Sequence, residues 1–192
     1  PADGNPIDNT AFFVFDESAV RKTVIVTEDG AVGEAIAAAA QAAVETEVVY
    51  EADILSPQQV ARIPWDDTAL LFWHAPIPEP DEAVHALLRQ HAESGRTLVL
   101  LPPAGDGGGS LFGFQWSEWL DTAETPFPFE SWRTESSLLA NTRNGDPLPV
   151  SEVSVFRARD FSGDVASLLR LEDSTTLFAQ ITTEAQGSVY SW

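Results

Sequence analysis

The sequence predicts an α/β domain with a three-layer, flavodoxin-like architecture, in which helices flank a mostly parallel sheet. Two features of the first half of the chain favour this class. Apolar and β-branched runs of strand length recur there, as in strands buried on both faces of a parallel sheet. Helical segments separate these runs, and this alternation is typical of a doubly wound sheet. The second half carries further strand-like runs between turns, which predict an antiparallel extension at one edge.

Four strands are predicted in the first half of the chain, each a short run that ends at turn-forming residues. They comprise residues 22–27 (KTVIVT), 44–50, 68–74 (TALLFWH) and 97–101 (TLVLL). The first is expected to be buried on both faces of the sheet, and the third to be buried likewise. An aromatic run at 11–15 (AFFVF) predicts one more short strand ahead of them.

Three helices are predicted between these strands. Residues 31–43 are rich in alanine, with apolar side chains at helical spacing. Ser56-Pro57 begins a short helix, with serine as N-cap and proline at the first helical position. Residues 79–94 form the clearest helix, with acidic residues in the first turn and glycine after the last. Its predicted inward face carries Val84, Leu87, Leu88 and His91. His85 is expected on the exposed side.

Loops and short strands are predicted in the second half. The glycine-rich residues 105–109 are expected to form a flexible connector, residues 116–120 an amphipathic turn and residues 126–132 an ordered surface loop. Strands are predicted at 150–157, 167–171, 175–181 and 188–192. Asp173-Ser174 and residues 185–187 provide the tightest breaks between them.

Composition limits the classes of partner. The chain carries 30 acidic and 10 basic side chains, a formal net charge of -20. Binding to nucleic acid or to an anionic membrane surface relies on basic side chains, so we expect no nucleic acid partner. No apolar run approaches the roughly 18 residues needed to span a bilayer, so we expect no membrane insertion by this segment. The acidic surface is expected to serve solubility.

The residue types that most often bind metals or cofactors are scarce. Cysteine is absent, so the chain has no disulfide, no thiolate metal ligand and no cysteine nucleophile. No two histidines have the spacing of a zinc site on one helix, and no segment matches a calcium-binding loop. The glycine-rich loop lacks the Gly-Lys-Ser/Thr sequence of a phosphate-binding loop. We therefore expect neither a metal nor a cofactor. Methionine is absent too, and the chain begins at Pro1, so we expect it to be part of a longer protein.

His74 is the candidate catalytic residue. It ends the third predicted strand, and open α/β sheets bind ligands at the carboxyl ends of their strands. Its titration range suits a general base acting with a serine or a water molecule. Ser110 and Ser117 are candidate nucleophiles, although neither lies in the strand–turn–helix context that exposes a catalytic serine. The alternative role is structural, a hydrogen bond to a neighbouring loop.

Four further residues are candidates for ligand binding. Asp29 follows the first buried strand and lies at the same predicted edge of the sheet as His74. Trp116, Trp119 and Trp132 have aromatic faces on which a sugar can stack. Their spacing equally suits side chains that pack in the core.

The order of several segments resembles a known family. NPIDNTAFFVFDES comes just before KTVIVTED, and TALLFWHAPIP is followed by the predicted helix and SGRTLVLLPP. LFGFQWSEW, NGDPLPVSEVSVFRAR and the closing LLRLEDSTTLFAQITTEAQGSVYSW come next. In this order they resemble the class I glutamine-amidotransferase-like, flavodoxin-like domain of bacterial membrane proteins that begin with a BatA-type aerotolerance-regulator region.

The resemblance implies one amidotransferase-like domain at residues 19–192, with residues 1–18 as a lead-in strand or the tail of a preceding domain. It also implies a position on the extracytoplasmic (periplasmic) face of a bacterial membrane, anchored by segments outside this chain. The amidotransferase superfamily uses a Cys-His-Glu triad. Since this chain has no cysteine, no catalytic residue is carried over.

We therefore expect a non-catalytic scaffold or protein-interaction domain, a pseudoenzyme with protein partners at the membrane. Two alternatives stay open. A hydrolase would place His74 within hydrogen-bond reach of a serine and an acid. A module that binds a sugar or another small ligand would expose the face of at least one of the three tryptophans.

Overall fold

The computed structural model describes residues 19–42, 45, 47–122, 124–132, 145–146, 148–184 and 187–192. Two α-helices lie within this part of the chain, α1 (Gly30–Ala40) and α2 (Ala83–Glu93), with short 3-10 helices at Pro57–Arg62 and Val150–Glu152. Its strands are β1 (Ala19–Thr27), β2 (Val48–Leu55), β3 (Thr68–His74), β4 (Thr97–Leu100), β5 (Gln115–Asp121), β6 (Phe129–Trp132), β7 (Arg157–Ser162), β8 (Val165–Leu171), β9 (Thr176–Ile181) and β10 (Val189–Ser191). The strand predicted at 11–15 lies outside the described residues.

Eight of these strands form one mixed sheet, in the order β2-β1-β3-β4-β10-β9-β8-β6. The first five in that order run parallel to one another. The last three pair in antiparallel fashion. Strands β5 and β7 form a separate antiparallel pair. The predicted α/β class is confirmed.

The last strand joins the two halves of the large sheet. β10 runs parallel to β4, with Val189 opposite Leu98, and antiparallel to β9 on its other side. The sequence predicted this segment as part of the antiparallel extension. It instead completes the parallel half, because the chain returns from β9 to the open edge of β4.

One face of the sheet is buried beneath α2. Leu88 and Ala92 of that helix are fully buried in the main core cluster. The strand residues of the same cluster include Val24, Val26, Leu71, Trp73, Leu98, Leu100 and Val189. The prediction that β1 is buried on both faces is confirmed, since Ile25, which faces away from α2, is as fully buried as its neighbours.

The opposite face is covered over β1 and β2 only. A Cβ at Gly33 of α1 would lie 3.1 Å from both Ile54 and Thr27, so the helix lies close on these strands. Over β3, β4 and β10 the face forms an apolar groove that no described helix covers. Its lining includes Leu70, Phe72, Val99, Leu101, Tyr190 and Trp192. The expectation that β3 is buried like β1 is therefore wrong on this face.

Three segments of the second half differ from their predictions. Residues 116–120 belong to a strand, because Trp116 pairs with Phe161 of β7. Residues 129–132 form an edge strand that pairs with β8, and not a surface loop. The run at 150–157 begins as a 3-10 helix after Pro149, so the strand starts only at Arg157.

The glycine-rich loop is held tightly against residue 77, contrary to the prediction of a flexible connector. The Ile77 amide donates to the Gly107 carbonyl (2.9 Å), and the Gly109 amide donates to the Ile77 carbonyl (2.7 Å). A Cβ at Gly108 would lie 2.2 Å from the Ile77 carbonyl oxygen, and its φ is +78°. Glycine is required here because the two backbones approach so closely.

The helices agree with the sequence except at their ends and at His85. α2 begins at Ala83 because residues 80–82 form a turn. His85 is buried, and its Nε2 donates to the Ser110 carbonyl at 2.9 Å. The exposed position predicted for His85 is wrong, since this bond ties α2 to the loop after the glycine-rich segment.

Candidate functional site

A cleft of about 940 Å³ lies at the carboxyl ends of β1, β3 and β4. One wall is formed by residues 28–32 after β1 and by Pro57 and Gln58. Residues 74–76 form its floor, and residues 102–105 with Trp119 and Arg157 form the opposite wall. This is the edge at which the sequence predicted a ligand site.

His74 lines the cleft and is half-buried. Strands β1 and β3 are neighbours, and their register places Thr27 opposite His74. The Thr27 Oγ1 atom lies 2.8 Å from His74 Nδ1. No serine and no carboxylate among the described residues forms a hydrogen bond with His74, so its partner is a hydroxyl group.

The hydrogen bonds of Thr27 determine which nitrogen of His74 carries the proton. The Asp29 amide donates to Thr27 Oγ1 (2.9 Å), so the hydroxyl already accepts one bond. Its own proton has two acceptors to choose from, His74 Nδ1 at 2.8 Å and the Asp29 carbonyl at 3.4 Å. The shorter contact favours Nδ1 as the acceptor, which leaves the proton of the neutral ring on Nε2, facing the cleft. In the other tautomer, Nδ1–H donates to the second lone pair of Oγ1 and the hydroxyl donates to the Asp29 carbonyl.

The acidic residues beside His74 have structural partners. Asp29 caps α1, and its Oδ1 accepts from the amides of Ala31 (3.0 Å) and Val32 (3.1 Å). Glu28 Oε1 accepts from Gln58 Nε2 at 3.0 Å. Since the Asp29 carboxylate takes up amides of the first turn, the start of α1 does not offer them to an anionic ligand.

Trp119 and Arg157 form the opposite wall as a stacked pair. The Arg157 guanidinium carbon lies 3.9 Å from the centroid of the Trp119 ring. Arg157 Nε also lies 2.9 Å from Asp121 Oδ1. One face of Trp119 is thus covered by a cation, in the geometry of a cation–π contact.

Arg159 joins this wall to the loop at 102–105. Its guanidinium donates to the carbonyls of Pro103 (2.7 Å), Gly105 (2.8 Å) and Ser117 (2.8 Å). Burial lowers the pKa of Arg159, and the nearby Asp106 and Glu118 carboxylates oppose that shift. Arg159 was not predicted as a site residue, because a lone arginine inside a strand gives no sequence signal of burial.

The candidate residues fall into two groups. The cleft brings together His74, Asp29 and Trp119. Trp116 is buried in the core, with its ring centroid 4.8 Å from that of Phe114 in an edge-to-face contact. Trp132 is half-buried on the far edge strand β6, against the smaller core cluster.

Neither of the candidate serines, Ser110 and Ser117, forms a hydrogen bond with His74 in the described part of the chain. The Ser110 carbonyl accepts from His85, and the Ser117 carbonyl accepts from Arg159. Across the described part of the chain, no three histidine, aspartate or glutamate side chains are grouped as metal ligands. No helix in that same part is long and apolar enough to cross a bilayer.

No family model matches the chain, and no curated protein sequence matches it. Solved structures do. Gan42B, a GH42 beta-galactosidase from G. stearothermophilus, superposes on 89% of the chain with a TM-score of 0.53 and 14% identity. A beta-galactosidase from Bacillus circulans sp. alkalophilus covers 89% with a TM-score of 0.50 and 7% identity.

The likeness shows the fold alone. The chain spans 27% and 28% of the lengths of these two enzymes. At such low identity no residue of either enzyme is matched to a residue of the cleft. The chemistry of this chain has to be argued from the cleft itself.

Proposed function

We propose that this chain is a non-catalytic interaction domain that binds its partner in the cleft around His74. The observation that carries the proposal is the pairing of His74 with Thr27. Polar groups converge on the cleft, as they do in binding sites, but their hydrogen bonds fix them in place. None of these bonds activates a nucleophile.

A hydrolase role for His74 conflicts with this pairing. In a serine hydrolase, an acid on one ring nitrogen leaves the other nitrogen as the base. Here a hydroxyl and not an acid contacts Nδ1, and the short contact favours the ring proton on Nε2. Base catalysis from Nε2 would require the Nδ1–H tautomer, in which the Thr27 hydroxyl turns to its longer contact with the Asp29 carbonyl and no described carboxylate stabilises the charged ring. Sugar stacking on Trp119 meets a similar obstacle, since Arg157 already covers one face.

The strand order supports a flavodoxin-like placement of this site. Strands β2-β1-β3-β4-β10 follow the 2-1-3-4-5 order of flavodoxin-like sheets. In such sheets the ligand binds beside the first and third strands, where the strand order reverses. Thr27 and His74 end those two strands. We propose on this ground that the chain is an amidotransferase-like, flavodoxin-like domain without the cysteine nucleophile.

The location is proposed from the resemblance in sequence. The resemblance to BatA-type proteins implies a domain on the periplasmic side of a bacterial membrane, and we propose that its protein partners lie there. Fractionation of the full-length protein and protease treatment of intact spheroplasts test this placement. Digestion of this domain in intact spheroplasts supports it. Protection until the spheroplasts are lysed contradicts it.

A photo-crosslinking amino acid placed in the cleft tests the binding function. Gln58 on the cleft wall is the test position, and Glu130 on the exposed far edge strand is the control. We expect a defined crosslinked partner from position 58 only. The same protein is assayed for ester, amide and glycoside hydrolysis. Turnover that disappears in His74→Ala would overturn the non-catalytic proposal.

A further inference from the structure

We infer that the cleft selects a peptide segment that offers an uncharged carbonyl oxygen to His74 Nε2. This inference rests on the proposed function, because it names the chemistry of the partner that the cleft would bind. It depends on the proton of His74, on the anionic groups beside it and on the apolar surface of the cleft walls.

The donor is fixed by Thr27. Its oxygen accepts the Asp29 amide at 2.9 Å, and we assign its proton to the nearer of two acceptors, His74 Nδ1 at 2.8 Å against the Asp29 carbonyl at 3.4 Å, which leaves the ring proton on Nε2. Nε2–H has no partner among the described residues, and it is not among their buried unpaired side-chain atoms. A ligand atom that meets His74 in the cleft must therefore accept a hydrogen bond.

The acceptor is expected to be uncharged. The Glu28 and Asp29 carboxylates both line the cleft on the β1 side. The negative charge of these two side chains would repel a ligand carboxylate or phosphate, and the net charge of -20 of the chain adds to this repulsion. The α1 amides that might offset that repulsion are already bonded to Asp29. Arg157, on the opposite wall, is paired with Asp121.

A peptide fits the remaining surface better than a saccharide does. Pro57, Pro76 and Pro102 line the cleft together with the edge of the Trp119–Arg157 stack. Proline rings offer apolar contact to an extended chain, whereas Arg157 already covers one face of Trp119, the aromatic side chain of the cleft. A peptide carbonyl is also the uncharged acceptor that every residue of such a chain supplies.

The tautomer is tested first, by long-range ¹H–¹⁵N correlation of the imidazole nitrogens at pH 8. Wild type is expected to show His74 in the Nε2–H form. His85 and His91 serve as internal references, since their Nε2 atoms bond to backbone carbonyls. Thr27→Ser keeps the hydroxyl and should keep the tautomer, whereas Thr27→Val should yield a mixture. An Nδ1–H form in wild type would overturn the inference.

Binding is tested with a displayed library of 12-residue peptides selected on wild-type protein. We expect selected peptides to be poor in Asp and Glu, and to shift the backbone amide signals of residues 28–30 and 74–76. Affinity should fall about fivefold in Thr27→Val and stay near wild type in Thr27→Ser, as for the loss of one hydrogen bond. Thermal unfolding confirms that each variant is folded.

The control ligands separate this inference from the proposed function. Inorganic phosphate and lactose are titrated under the same conditions. Cleft shifts with either ligand but with no selected peptide would overturn the choice of a peptide while leaving a binding cleft. The choice of a peptide would also be overturned if no peptide were selected, or if the selected peptides were rich in Asp and Glu. Hydrolysis that depends on His74, or the absence of a crosslinked partner at position 58, would overturn the proposed function.

Discussion

Thr27 and His74 end neighbouring parallel strands, and the threonine hydroxyl lies 2.8 Å from Nδ1 of the imidazole. The same hydroxyl accepts the amide of Asp29, the residue that caps α1. One side chain thus links the end of β3 to the start of the first helix. This link explains why the polar groups at the edge of the sheet have fixed positions.

Asp29→Ala is expected to destabilise the domain by about 1 kcal/mol. The substitution removes the N-cap, so the amides of Ala31 and Val32 lose their acceptor. Urea unfolding followed by circular dichroism measures the change. Asp29→Asn keeps a side-chain oxygen and serves as the control. The N-cap explanation fails if the asparagine variant loses as much stability as the alanine variant.

The elements that the sequence predicted well are those with strong local signals. β1 was recognised from its β-branched run, and α2 from its apolar spacing and the glycine after it. β5 and β6 were missed, since Trp116 and Trp132 owe their strand geometry to pairing with β7 and β8. Local propensity does not report such long-range pairs.

The sequence predicted where the site lies in the fold, but not which of its side chains contact one another. Open α/β sheets bind ligands at the carboxyl ends of their strands, and this rule correctly predicted that His74 and Asp29 line one cleft. The Thr27 hydroxyl contact depends on strand register, which the sequence does not specify residue by residue. Arg159 and His85 were missed for a related reason. Their partners are backbone carbonyls far along the chain, and such bonds leave no sequence pattern.

Gly108→Ala is expected to cost at least about 2–3 kcal/mol. The new Cβ would lie 2.2 Å from the Ile77 carbonyl oxygen, at a φ of +78° that alanine rarely adopts. Gly105→Ala is the matched control in the same loop, because a Cβ there meets nothing within 4 Å. Chemical denaturation compares the two variants. Equal effects would show that general loop stiffness, and not the contact with Ile77, sets the cost.

Arg159→Met should destabilise the domain on the order of 3 kcal/mol. It leaves the carbonyls of Pro103, Gly105 and Ser117 without the guanidinium that binds them. Arg157→Met on the same strand is the control. That side chain is 51% exposed and makes a surface ion pair with Asp121 and a stack on Trp119, so its loss should cost about 1 kcal/mol.

The two arginine variants are compared by urea unfolding and by hydrogen exchange. Exchange in Arg159→Met should increase at residues 104–107, which the guanidinium holds to β5. In Arg157→Met it should stay near wild type. Similar protection of the loop in both variants would contradict a specific role for Arg159.

His91 is expected to make the domain less stable in mild acid. It is 2% exposed, and its Nε2 donates to the Thr97 carbonyl at 3.1 Å. Burial lowers the pKa of His91 below 6.5, the Thr97 bond opposes the shift, and the positive charge of Arg96 adds to it. In the folded state the imidazole is therefore neutral over a wider pH range than in the unfolded chain.

The direction of the effect follows from proton linkage. Between the lowered pKa of His91 and 6.5, the unfolded chain binds more protons than the folded one. The contribution of His91 is complete above pH 6.5 and is lost as the pH falls through the folded-state value. The unfolding free energy of wild type minus that of His91→Gln should therefore shrink between pH 8 and pH 5. His85→Gln replaces another buried histidine and is the control, because it should leave the pH dependence due to His91 intact. If the difference in unfolding free energy between wild type and His91→Gln stays constant on acidification, this role of His91 is ruled out.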